Sequence, residues 1–167
     1  QNLYQDLKGD ELNAYAQLPV EEAALSLLDD HPELMTGLPD EAKKAVVKTQ
    51  DGPDGVRVTI GFTVDGLDYP GDKILYFRTQ DQEKAGAFHR LVDHSVKLKK
   101  VNRCQALSSD QAKKVIDNFH GFDVELIKQP ELAYYPAPGD QAKKGYAIDY
   151  FMIKGSEKTR RIYQIEY

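Results

Sequence analysis

Cys104, His89, His94 and Asp93 carry the most reactive side-chain types in this 167-residue chain, and their spacing decides what each can do. A thiol becomes a nucleophile when a base or a positive environment lowers its pKa. Arg103 is the one neighbour of Cys104 that would do so, and no family signature surrounds it. Cys104 therefore reads as a structural thiol. As the only cysteine, it excludes an intrachain disulfide and a cysteine-rich metal site. His89 and His94 stand five apart, whereas two metal ligands on one helix face need a spacing of four. Asp93 meets that spacing with His89, but a solvated helix face accounts for the same residues. Asp65, Asp68 and Asp72 crowd one stretch without the calcium-loop pattern, and turn chemistry explains them equally well. Lys97, Lys99, Lys100 and Arg103 sit where a predicted helix ends and complement its dipole there. No catalytic residue, metal site or cofactor is assigned.

Tyrosine is the type that stands out. Six of the ten tyrosines, Tyr134, Tyr135, Tyr146, Tyr150, Tyr163 and Tyr167, lie on candidate strands near the C-terminus. Tyrosine offers a large contact area with few rotamers, which suits recognition surfaces. A sheet core with phenol groups reaching its rim would use the same residues. The candidate binding set is Tyr134, Tyr135, Tyr150, Phe151, Tyr163 and Tyr167, some of which are expected to line a contact surface. The expected partner is a protein or peptide, and a chain end on an edge strand also leaves self-association open.

The elements that would position these residues begin at Leu107. Ser108 and Gln111 have the spacing of a capping box, and Ala112, Val115, Ile116 and Phe119 recur at helical period. Gly121 is placed to end that helix. Phe122, Val124 and Leu126 then alternate with Asp123 and Glu125, as in a half-buried strand. Leu132 to Tyr135, Tyr146 to Ile153 and Ile162 to Tyr167 follow as strands, with a turn at Pro136 to Gly139.

The motifs Ser-Ser-Asp-Gln-Ala-Lys-Lys, Glu131 to Pro136, Gly145 to Phe151 and Arg161 to Ile165 together resemble a PepSY-type domain over about a third of the chain. Such domains occur in the propeptides of thermolysin-like metalloproteases and in free-standing secreted proteins. The resemblance implies a secreted peptidase as partner, with inhibition or folding assistance as the effect.

Upstream, Pro19, Glu21 and Glu22 suit the start of a helix whose apolar face is Val20, Ala23, Ala24, Leu27 and Leu28. A short helix before it is expected over Glu11 to Leu18. A third is predicted over Glu41 to Lys48, with Ala42, Ala45 and Val46 inward. Val56, Val58, Ile60, Phe62 and Val64 alternate with polar or small residues and form the clearest strand. Ile74 to Thr79 is its hairpin partner across a long loop, and a helix is predicted over Asp81 to Lys97. An internal duplication would relate Asp40 to Lys44 with Asp110 to Lys114, and the two Pro-Gly-Asp turns with each other.

The fold class is therefore α+β: a mostly antiparallel twisted sheet with helices on one face, in two tandem helix-then-strands units. The segments are 1–38, 39–106 and 107–167, sharing one compact domain. A net charge of −5 removes any global drive towards nucleic acid, and no apolar run approaches the ~20 residues of a bilayer span. Opening on Gln1 fits a chain after signal removal or a trimmed one, so a secreted or periplasmic location is read, with the cytoplasm left open. The leading function is a non-catalytic, exported protein-binding module. The alternative is a small-molecule-binding domain with a pocket between helix and sheet.

Overall fold

The structure, a computed structural model, describes residues 14–99 and 106–167. The chain divides into two compact units, Gln1–Lys97 and Leu98–Tyr167. Each carries one α-helix among its described residues, followed by antiparallel strands, so the α+β class holds.

In the first unit, α1 (Val20–Asp30) is capped by Pro19 and carries Glu21 and Glu22 in its first turn. Those carboxylates face the positive end of the helix dipole. Val20, Ala23, Ala24, Leu27 and Leu28 are all buried, the face that their helical spacing requires. The backbone N–H of His31 closes the helix on Leu27, and Pro32 opens a 3-10 turn (Pro32–Met35). Residues 14–17 of the short helix expected before α1 form turns, and 11–13 lie outside the described residues.

Four strands then form one antiparallel sheet in sequential order: β1 (Lys43–Gly52), β2 (Gly55–Val64), β3 (Leu67–Arg78) and β4 (Ala87–Asp93). On β2, Val56, Val58, Ile60, Phe62 and Val64 are buried, and Arg57 is exposed. The turn after β2 is shorter than the sequence implies. Asp65 and Gly66 both have positive φ, at 53° and 75°, the pairing a two-residue type I′ hairpin demands. Pro70 and Gly71 are not part of that reversal. They sit in an irregularity of β3, between the pairs Gly61–Asp72 and Phe62–Tyr69, where a proline needs no ladder partner.

Two predicted helices prove to be strands. Phe88 and Leu91 are three apart and both buried, a spacing that mimics a helix. In the structure a β-bulge at Tyr76–Phe77 inserts one extra residue into β4, so the two still face one side. Ala42, Ala45 and Val46 also have helical spacing, but the chain runs on from Lys43 as β1 in regular register to Val46, so Ala45 and Val46 alternate between faces. Ala45 is exposed rather than inward. With no helix opening at Asp40, one half of the proposed duplication is gone.

In the second unit, α2 (Ser109–His120) starts with the capping box as spelled. The Ser108 hydroxyl accepts from the Gln111 N–H at 3.2 Å, and Gln111 Oε1 accepts from the Ser108 N–H at 2.8 Å. Gly121 ends the helix at φ 76°, a conformation that other residues adopt only at a cost. Ser108→Ala is expected to cost about 1 kcal/mol, read as a shift in the urea midpoint with unchanged slope. After β5 (Lys97–Leu98) at the boundary, the sheet is built on one long strand, β8 (Gln141–Lys154). β7 (Glu131–Ala137) and β6 (Glu125–Leu126) pair along it, and β9 (Glu157–Glu166) pairs from Gly145 to Lys154. The core is Ala112 and Ile116 of α2 against Val124, Tyr146, Ile148, Tyr150 and Ile165.

Candidate functional site

The cross-strand register sorts the six aromatic candidates onto two faces. Tyr146 opposes Ile165, Ile148 opposes Tyr163 and Tyr150 opposes Arg161, so these residues share the face that α2 covers. Tyr134 opposes Lys144 on that face, and the Tyr167 ring meets Tyr146. Tyr135 and Phe151 fall on the opposite face. There Tyr135 lies across Gly145, where a Cβ would come within 2.7 Å of its ring, and Lys158 sits 4.9 Å from the Phe151 ring centre.

Burial separates them further. Tyr134 and Tyr150 are buried, at 8% and 3% exposure, so they belong to the sheet interior. The Tyr150 phenol lies 2.9 Å from His120 Nε2, and burial raises its pKa. Tyr135, Phe151 and Tyr167 are half-buried. Tyr163 is the one candidate that stays exposed, at 38%. The six therefore do not form one surface.

Tyr163 instead joins residues that sequence reasoning placed elsewhere. Its ring centre lies 5.7 Å from that of Phe119, Phe119 lies 5.0 Å from His120, and His120 lies 5.6 Å from Phe122. Phe119 is 67% exposed and Phe122 is 49% exposed, with Val115 also exposed on the same helix. Phe119 and Val115 were expected inward. At about 100° per residue, Phe119 points within about 40° of the mean direction of Ala112 and Ile116. Its exposure therefore reflects missing cover over the last turn of α2, not a wrong face.

Beside this group lies a hollow of about 480 Å³, lined by His120 of α2 and by Tyr150, Met152, Lys154, Glu157, Thr159 and Arg161 of the β8–β9 hairpin. Its inner wall is apolar and aromatic, while Lys154, Glu157 and Arg161 bring charge to the rim. On the far face of the hairpin, Arg160 holds Asp149 through two bonds, Nε–Oδ1 at 2.8 Å and Nη2–Oδ2 at 2.5 Å. That guanidinium keeps the Asp149 carboxyl below its ordinary pKa against the effect of burial. The bond ties the two strands that wall the hollow.

The remaining sequence candidates fare differently. His89 and Asp93 lie on β4, not on a helix, and the bulge leaves them on opposite faces. They cannot share a metal. His94 Nδ1 lies 2.7 Å from Asp72 Oδ1. No cluster of three metal-ligating residues occurs among the described residues. Cys104, Lys100 and Arg103 lie outside them. No helix among the described residues is long and apolar enough to cross a membrane.

β9 has one partner, β8, among the described pairings. Its first half, Glu157 to Arg161, is charged throughout apart from Thr159, a composition that keeps edge strands from pairing with another copy. No family model matches this chain, and no curated protein sequence matches it.

Proposed function

We propose that this protein is a non-catalytic, exported binding module whose second unit holds a protein or peptide partner at the end of α2. The observation that carries the reading is the contiguous exposure of Phe119, Phe122 and Tyr163 beside the hollow under His120. Grouped apolar exposure of this kind marks interaction sites, and hot spots centre on an anchor seated in a pocket. An apolar partner side chain would fill the hollow, with its flanks on the three aromatic rings. Lys154 and Arg161 at the rim favour an acidic residue next to that anchor. The PepSY-like motifs make a secreted peptidase the first partner class to test. A helix followed by antiparallel strands is the arrangement those motifs imply. A second reading, a small-molecule ligand in the same hollow, is supported by its position between a helix end and the sheet.

Peptide display against the whole chain tests the first reading. Wild-type protein is expected to enrich peptides bearing an apolar anchor beside an acidic residue. Phe119→Ala is expected to weaken their binding by about 2 kcal/mol or more, with the melting transition unmoved. Undiminished binding by Phe119→Ala and Phe122→Ala ends the assignment of this surface. Failure to inhibit thermolysin-like peptidases would remove the peptidase partner alone.

A further inference from the structure

The first unit carries a second, separate feature on the sheet face away from its core. One cross-strand row runs through all four strands: Gln50 opposes Arg57, Arg57 opposes Tyr76, and Tyr76 opposes Arg90. Tyr76 thus stands in register between two arginines. Arg90 lies 5.4 Å from the Tyr76 ring centre, and Gln50 Oε1 fixes Arg57 by accepting from Nε at 2.8 Å. The bulge in β4 completes the group. Because two residues of β4 oppose Tyr76, His89 and Arg90 point to the same side, and the His89 ring sits 6.0 Å from Tyr76.

Two adjoining cavities meet at His89, Pro53 and Asp54. One, of about 320 Å³, is lined by the β1–β2 hairpin with Arg57, Tyr76 and Arg90. The other, of about 560 Å³, is lined by Arg78, Thr79 and Gln80. Arg57, Arg78 and Arg90 make no ion pair among the described residues, in a chain whose net charge is −5. Burial, and then the charges of Arg78 and Arg90, hold the His89 pKa below the ordinary imidazole range, with Asp54 opposing. Positive charge gathered beside one partly enclosed aromatic ring draws an anion into the cavity, and Asp51 and Asp54 on its wall offset that charge only in part.

We propose that this row is a binding site for a small organic phosphate: Arg90 and Arg78 hold the phosphate, and a flat ring of the ligand lies on Tyr76. Guanidinium groups match phosphate oxygens in pairs and stack on flat rings, which suits both ends of such a ligand. Neutral His89 supplies one more hydrogen bond, and the Asp54 carboxylate accepts from a ligand hydroxyl.

Calorimetric titration of the full chain with phenyl phosphate, inorganic phosphate and phenol tests the site. Phenyl phosphate is expected to bind at one site per chain, about tenfold tighter than inorganic phosphate, and phenol not at all. Arg90→Gln is expected to weaken phenyl phosphate by about tenfold or more, the effect of losing one charge-assisted pair. Tyr76→Leu is expected to abolish the preference for phenyl phosphate over phosphate while phosphate itself still binds. Lys158→Gln, in the second unit, is the control and leaves binding unchanged. Arg90 is exposed, so its variant folds, and an unchanged melting curve verifies that. Absence of saturable binding at millimolar ligand overturns the proposal, as does an equal loss in Arg90→Gln and Lys158→Gln. Equal affinity for phosphate and phenyl phosphate in the wild type removes the role of Tyr76 and with it the ligand class.

Discussion

Replacing Asp93 by alanine is expected to destabilise the first unit by about 3–5 kcal/mol, the cost of stranding a buried charge. The charge is that of Lys73. Its side chain is wholly buried, on the core face of β3, in a cross-strand row with Ile60 and Asp93. Nζ lies 2.9 Å from Asp93 Oδ2, and no regular hydrogen bond reaches it among the described residues. Asp93 is better provided for, since the Ser95 N–H donates to Oδ1 at 2.8 Å. Burial acts to raise its pKa, but Ser95 and the Lys73 ammonium prevail and the carboxyl titrates below its ordinary 3.8.

The sign of the pH effect follows. A depressed folded pKa means that the folded state binds fewer protons than the unfolded chain, so the contribution is complete above about pH 3.8 and fades as pH falls through the lower folded value. The mutational cycle isolates the pair. Lys73→Met in the Asp93→Ala background removes the stranded charge and is expected to recover most of the loss, to within about 1 kcal/mol of wild type. If urea denaturation gives the double variant the same stability as Asp93→Ala alone, the penalty lies in lost packing around Asp93 and not in the Lys73 charge.

The same row shows where sequence reading stops. Lys73 sits at an inward position of β3, beside Leu75 and Phe77, yet a lysine in that alternation reads as the place where the strand turns to solvent. Its partner arrives from β4, and the β4 register depends on a bulge that no local pattern spells. That bulge also places Phe88 and Leu91 three apart, which imitates a helix, and turns His89 to the side of Arg90. Arg57, Tyr76 and Arg90 are far apart in sequence, and only the register lines them up. The capping box of α2 was legible because all its parts lie within four residues. The alternation of β2 was legible because its inward set is unbroken. Phe119 shows a third kind of failure: its helical angle was read correctly, but the absence of cover above it is a property of neighbouring strands.

Truncating Phe62 to alanine is expected to cost about 3–5 kcal/mol, and it tests the register on which the first unit is built. Phe62 is buried at 4% exposure, opposite Lys44 on β1 and Tyr69 on β3, where the β3 irregularity begins. The cost rises with the volume left unfilled. The adjacent Thr63 points to the other face and is expected to lose under about 1 kcal/mol as alanine, within the range of strand propensity alone. The contrast decides the matter: a one-residue slip of β2 would exchange the two positions between faces. Equal losses from Phe62→Ala and Thr63→Ala in urea denaturation would show that Val56 to Val64 does not pack in the register described.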